Sequence, residues 1–343
     1  MEAGALIWQI ESEMLDNLLG LVLRGSVGSA EWQTKKLQEL GLLLEINART
    51  IKAHREEVLA AVRSELARHA AEKIGLVNEA VNAKGYELSK DPRILGILAN
   101  HEAAAMKKIE TIYSTMLRSA GTRYVETVQA ATAKVQLGMS GRKAVAEICK
   151  GWADAGLPGF RDAAGREWTP EAYASVLTRT TSTQCATESQ LARMDEVGLD
   201  LIEVSSHLGA RPLCAPYQGR IYSRSGKSDQ YPALSSTSYG QAAGLFGINC
   251  RHVMYPYIPG TKKTYSPYAE KRNEEAYKNS QIQRKLERNI RGAKRELALV
   301  SKTGSAPDIQ AAKDRIARGQ SAMRQFIESS GRRRDYDREQ IRT

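Results

Sequence analysis

The chain is poor in aromatic residues and cysteine, and it lacks long apolar runs and the signatures of common enzyme sites. Aromatic residues make up 6% of its 343 positions, with three Phe and four Trp. The core must therefore rest on Leu, Ile, Val and Ala, the usual filling of packed helices, which argues against an aromatic-rich β-barrel. Four cysteines, at 149, 185, 214 and 250, are too sparse for a disulfide-stapled fold. No stretch approaches the ~18 uninterrupted apolar residues of a membrane span, and 26% of the residues are charged, which points to a soluble protein. The opening Met1-Glu2-Ala3-Gly4 has no basic region, and Glu11 and Glu13 interrupt the apolar segment behind it. No secretory signal is expected, and the cysteines are expected to stay reduced in a cytoplasm. The phosphate-binding GxxxxGK[ST] loop, the dinucleotide-binding glycine fingerprint, HExxH and GxSxG are all missing. Nucleotide hydrolysis and zinc-peptidase chemistry are thereby disfavoured.

What the chain does have is length for two or three domains and a formal net charge of +11. That charge is concentrated. From Thr261 onward there are 21 Lys and Arg against 11 Asp and Glu, a net +10, so the first 260 residues carry only +1. A segment of this kind is a candidate for contact with DNA phosphates or with an acidic protein surface, although a solvated charged hairpin is the simpler reading of the pattern.

The fold class expected from the pattern is α+β and mainly α. It comprises an N-terminal helical region (1–120), a connecting helical region (121–200), a loop- and β-rich module (201–262) and basic C-terminal helices (263–343). A first helix is expected over 7–23, broken by Gly25-Ser26-Val27-Gly28-Ser29. A long helix from Trp32 follows, with Leu37, Leu40, Leu44, Ile51, Val58, Val62 and Leu66 on one stripe. Further helices are expected over 103–117, 124–136 and 140–155, the last capped by Ser140 and stopped by Gly-Leu-Pro-Gly at 156–159. Thr169 and Pro170 open another, running to Val197. Between Leu201 and Gly260 lie five of the ten prolines and seven glycines, a composition of turns and short strands. Residues 201–205 and 219–222 read as a small antiparallel ribbon. Helix returns over 283–297, and a second helix from Asp308 to Ser329 makes an antiparallel hairpin with it.

One cluster stands out in the central module. It is His207-Leu208-Gly209-Ala210-Arg211-Pro212-Leu213-Cys214-Ala215-Pro216-Tyr217-Gln218-Gly219, echoed by Gly247-Ile248-Asn249-Cys250-Arg251-His252. The plainest reading makes both cysteines small buried hydrophobes and both histidines partners of backbone carbonyls. The sharper one gathers His207, Cys214, Cys250 and His252 into a closed, structural Cys2His2 zinc site that fastens a module short of core, although the ligand spacing departs from the usual two-to-four residues. A Cys–His nucleophile is a third reading, but nothing in the sequence points to an oxyanion hole or an orienting group. Arg211 and Arg251 sit in Gly/Pro-bounded loops, where a guanidinium can hold several carbonyls at once. Asn249 fits a left-handed turn position or a side-chain cap.

At these motifs the chain resembles the phage minor capsid protein 2 family, tailed-phage head-morphogenesis proteins related to the F protein of phage Mu. The resemblance rests on Ser206-His207-Leu208-Gly209-Ala210-Arg211-Pro212, on residues 217–223, on residues 247–252 and on the tail from Tyr277 to Arg291. Where the family reads H-x-GARP-x-H, Cys214 replaces the second His, an exchange that keeps metal-binding capacity. The resemblance implies a non-enzymatic, few-copy virion protein inside the head. Its implied partners are the portal and the capsid or scaffold proteins, with roles in packaging or ejection and no membrane contact. Gly209, Arg211, Pro212, Gln218, Gly219, Asn249 and Arg251 are expected to be architectural. Arg284, Lys285, Arg288, Arg291, Lys294 and Arg295 are the candidate contacts to double-stranded DNA or a partner. A Cys/His-dependent enzyme and a general DNA-binding protein acting through its tail are the competing readings. No cofactor is expected beyond the candidate zinc.

Overall fold

The computed structural model describes residues 2–152, 160, 161, 165 and 167–341. Among these the helices are α1 (Ala3–Val22), α2 (Ala30–Gln38), α3 (Leu40–Ala80), α4 (Pro92–Gln136), α5 (Gly141–Lys150), α6 (Pro170–Glu196), α7 (Glu270–Thr303) and α8 (Ala306–Ser330). The strands are β1 (Phe160–Arg161), β2 (Glu167–Trp168), β3 (Leu201–Val204), β4 (Ile221–Ser223) and β5 (Met254–Pro256). The protein is mainly helical with a little sheet, the expected α+β class. No helix among the described residues is long and apolar enough to cross a membrane. The chain divides into two compact units, each assembled from separated stretches. The first comprises Met1–Val58, Lys108–Ser175 and Ile282–Thr343; the second comprises Leu59–Lys107 and Val176–Gln281.

In the first unit, α1 buries Leu6, Ile7, Ile10, Met14, Leu18, Leu19 and Val22, while Asp16 and Gly20 stay exposed on its open side. Ser29 ends the glycine-rich break by capping α2, its hydroxyl accepting the Trp32 N–H at 3.1 Å. The long helix expected from Trp32 is interrupted at Glu39, whose N–H bonds both Lys35 and Lys36 carbonyls in a tightened last turn. That interruption shifts the phase of the apolar stripe. Lys36 and Leu43 are buried while Leu37 is exposed, and the expected register is regained from Ile51 through Val58 and onward to Val62 and Leu66. Buried Lys36 pairs with Glu39 at 2.7 Å.

The two helices expected over 103–117 and 124–136 are one, α4. Gly121 between them stays helical; a Cβ there would only reach ordinary contact with Leu44 and Leu40. A glycine weakens a helix by about 1 kcal/mol but does not break it when packing holds both sides. Ser140 occupies the position before α5, although its side chain accepts no capping bond, and the helix stops at Lys150 with Gly151 as its cap. The expected Gly-Leu-Pro-Gly stop at 156–159 lies outside the described residues. Thr169 and Pro170 open α6 as anticipated, the Thr169 hydroxyl accepting the Ala172 N–H at 3.2 Å.

The C-terminal helices form the expected antiparallel hairpin. Arg315 pairs with Glu296 at 2.6 Å, while Gln283, much earlier in α7, bonds Arg333 beyond the end of α8. Ile290 and Met323 are buried along the hairpin, and α8 starts with a Ser305/Asp308 capping box. α7 begins at Glu270, well before the Gln283 start read from the pattern.

In the second unit the sheet order is β4-β3-β5, both pairings antiparallel. β3 and β4 form the expected ribbon, with Leu201 opposite Ser223 and Glu203 opposite Ile221. The strand that completes the sheet, β5, was not among the expected elements; Met254 pairs with Val204. Ile202, Val204, Tyr222 and Met254 join Val77, Met194, Leu234, Leu245, Phe246 and Cys214 in one core.

Candidate functional site

The candidate site lies in the second unit, on the loops around β3 and β5. Regular structure is scarce there, so buried backbone groups need side-chain partners. Glu203 on β3 supplies one set, its buried carboxylate accepting the N–H of Thr264 at 3.0 Å and of Tyr265 at 2.6 Å. Asn273, in the first turns of α7, supplies another. Its Oδ1 accepts from Gly209 (3.0 Å) and Ala210 (2.9 Å), and its Nδ2 donates to the Ala210 carbonyl at 2.9 Å. Gly209 has φ +82°, where a side chain would be strained.

From there the chain turns tightly. The N–H groups of Cys214 and Ala215 both return to the Arg211 carbonyl at 2.8 Å, and Pro212 lies exposed within the turn, where a missing N–H leaves nothing unsatisfied. Arg211 acts as a clamp: its guanidinium donates to the carbonyls of Ile248 (2.8 Å) and Gly244 (3.2 Å) and reaches Cys214 Sγ at 3.8 Å. Asn249 has φ +57°, the left-handed turn position. Arg251 is exposed and has its own partner.

This scaffold brings three of the four candidate ligands together. Cys214 Sγ lies 4.0 Å from Cys250 Sγ, which lies 3.4 Å from His252 Nδ1. One ligand atom from each of the three fits within a span of 4.8 Å. The fourth candidate, His207, stacks its ring on that of His252 with centroids 4.5 Å apart. Gln218 ties the two histidines: its buried Oε1 accepts the His207 backbone N–H at 3.0 Å and faces His252 Nε2 at 3.4 Å.

The site's electrostatics follow from these contacts. The Cys214 thiol hydrogen bonds to Cys250, and with further bonds from His252 this pulls the Cys250 thiol down to about 3 against its burial. The same shared bond, together with burial, raises Cys214. Burial foremost, and the neighbouring His252, lower His207. The cluster thus favours one thiolate beside an imidazole, a soft donor set suited to a borderline metal ion.

The second unit also contains a Ser–His contact. Arg68 donates to His69 Nε2 at 2.8 Å, so the ring proton sits on Nδ1 and points at Ser182 Oγ. The serine hydroxyl donates its hydrogen bond to the Glu65 carbonyl at 3.3 Å. Its hydroxyl is turned away from any base, the reverse of an activated nucleophile.

The basic candidates of the tail separate into two groups. Lys285 and Arg288 are exposed, and Arg284 is half-buried with a partner of its own. Arg291 instead donates to the Arg338 carbonyl, Lys294 to Gln340, and Arg295 is buried against Glu171 and over the Trp8 ring. These three tie α7 to other parts of the first unit, Arg295 from a buried position and Arg291 and Lys294 from half-buried ones. Exposed Lys313, Arg318, Arg324 and Arg333, which pattern reading did not single out, add to the outer charge. Asn273 and Glu203 were also missed; their partners lie more than sixty residues away in sequence.

Comparison with known proteins agrees with the motif resemblance. The family model described as phage minor capsid protein 2 matches residues 5–328. A structural protein of Lactococcus phage LL-H is 26% identical over 330 residues, covering 90% of this chain and 88% of that protein. A structural protein of Lactococcus phage mv4 is 34% identical over 117 residues, 33% of this chain and 93% of that protein. No solved structure matches significantly.

Proposed function

Because the chain belongs to the phage minor capsid protein 2 family, a family of virion structural proteins, we propose that it is an internal head component that turns over no substrate. In this reading it is assembled in the host cytoplasm, docks on the portal, and meets packaged double-stranded DNA with its C-terminal hairpin during packaging or ejection. The match across residues 5–328 and the phage structural proteins among its relatives support the head assignment.

The observation that carries the DNA contact is the exposed cationic set Lys285, Arg288, Lys313, Arg318, Arg324 and Arg333 on and just after the hairpin. Side chains that neutralise phosphates release condensed counterions, so binding through about three to five of them gives a log–log salt slope of roughly −3 to −5. Fluorescence anisotropy of a labelled duplex across a salt series measures that slope. Alanine at Arg318 and Arg324 should each reduce it by about one; a flat salt response removes the DNA contact. Coexpression with the portal of the same phage tests docking, and a portal that purifies without this chain refutes it.

A further inference from the structure

We propose that Cys214, Cys250, His252 and His207 bind one zinc ion, which clasps the turn after Arg211 to the segment leading into β5. The inference stands apart from the head assignment and rests on the geometry of the second unit alone.

Tetrahedral zinc, with bonds of about 2.3 Å to sulfur and about 2.05 Å to nitrogen, holds two sulfurs ~3.8 Å apart and a sulfur and a nitrogen ~3.6 Å apart. The two sulfurs here are 4.0 Å apart, and Cys250 Sγ and His252 Nδ1 are 3.4 Å apart. These two edges match to within about 0.2 Å, and the three ligand atoms all lie within 4.8 Å of one another. The orientation of His252 agrees independently. Its Nδ1 is the nitrogen on the Cys250 side, and Gln218 Oε1 stands 3.4 Å from the far Nε2, where a carbonyl oxygen is the usual support of a metal-bound imidazole. His207 is the fourth donor. Its ring lies against that of His252, with centroids 4.5 Å apart, so it is the histidine next to the three gathered ligands. Two thiolates and two imidazoles favour zinc over magnesium or calcium, which take oxygen ligands.

The clasp also answers a structural need. Cys214 belongs to the unit's core while Cys250 lies at its edge, and the loops they come from are joined by side-chain hydrogen bonds, the Arg211 clamp among them. A metal bond between them would fasten the module where no strand pairing does.

The test is metal analysis of the full chain purified under a thiol-free reductant, then reconstituted with zinc and dialysed. One zinc per chain is expected, with a fall in melting temperature on removal by a strong chelator. Cys250→Ser and His252→Gln, each checked for native circular dichroism, should bring bound zinc close to zero. His207→Gln should keep the ion but weaken binding by about tenfold or more in chelator competition. The wild-type stoichiometry needs no variant to fold. A reconstituted wild-type chain without zinc overturns the proposal. So does zinc retained in folded Cys250→Ser or His252→Gln, wild-type affinity in folded His207→Gln, another metal bound in preference, or a Cys214–Cys250 disulfide in the natively purified protein.

Discussion

Replacing Asn273 by alanine isolates the polar scaffold of the candidate site from everything else in the protein. The side chain is 4% exposed and makes three hydrogen bonds, to the N–H of Gly209, the N–H of Ala210 and the carbonyl of Ala210. Truncation strands two donors and one acceptor in a site with little access to water. Each buried group left unsatisfied costs ~1–3 kcal/mol, and partial entry of water recovers some of it. The expected loss is therefore about 3–5 kcal/mol for the second unit. Asn273→Asp retains the acceptor for both N–H groups while setting a carboxylate oxygen against the Ala210 carbonyl, so it should fall between alanine and wild type. Because a loop can open locally without the rest of the chain unfolding, a single global transition is a poor reporter. Amide hydrogen exchange at Gly209 and Ala210 reads the site directly: a loss of ~3 kcal/mol appears as roughly a hundredfold fall in protection, at 1.4 kcal/mol per decade. Exchange within a factor of about three of wild type at both amides would refute the assignment of Asn273 as the post that holds this loop.

Two further outcomes follow from backbone geometry and burial. Gly219 has φ +65°, and a Cβ there would lie 2.5 Å from the Ser266 carbonyl carbon and 2.6 Å from the Pro267 nitrogen. Gly219→Ala should therefore destabilise the second unit by ~3 kcal/mol or more, whereas Gly260→Ala, at φ +88° with nothing nearby, should cost only about 1 kcal/mol. Equal losses by urea denaturation would show that backbone conformation alone matters. Lys73 on α3 has its amine pushed down to about 8, chiefly by burial. Its unfolded value is higher, so the unfolded chain binds more protons between about pH 8 and 10.5 and this group's contribution to stability rises with pH there. Lys73→Met should raise stability at pH 7 by ~1–3 kcal/mol and remove that part of the pH dependence; a variant no more stable than wild type at pH 7 would count against the burial argument.

The legible parts of the fold were those with local causes. Thr169 and Pro170 announce α6 because capping and the fixed proline φ act within one turn. The breaks around 25–29 and 303–307 announce helix ends in the same way. The 201–204 and 221–223 strands were legible from their apolar residues and flanking turn formers. What escaped had distant causes. The offset of the buried stripe to Lys36 and Leu43 depends on a hitch at Glu39 that periodicity averages over. The continuity of α4 through Gly121 depends on its packing partners. β5 is short and contains Pro256, so it reads as loop until β3 is placed beside it. In the site, the residues gathered by composition, Cys214, Cys250 and His252, do come together, and Arg211 does clasp carbonyls. The supports that place them, Asn273 and Glu203, carried no local mark.

The same distinction explains why the central motif is so densely populated with glycine, proline, arginine and asparagine. A sheet of three short strands satisfies only a minority of the backbone groups in residues 201–265, and the apolar core behind it is modest. The remaining buried N–H and C=O groups must find turn partners or side chains, so Asn273, Glu203, Gln218 and Arg211 act where a longer strand or helix would have supplied its own partners. Such a network is cooperative: losing one member exposes the partners of the next. Substitutions in the motif should accordingly act first on the folding of the module and only through it on assembly. Variants that spare its hydrogen bonds, such as exchanges at exposed Leu208 or Leu213, are therefore the ones suited to separating a docking role from a structural one.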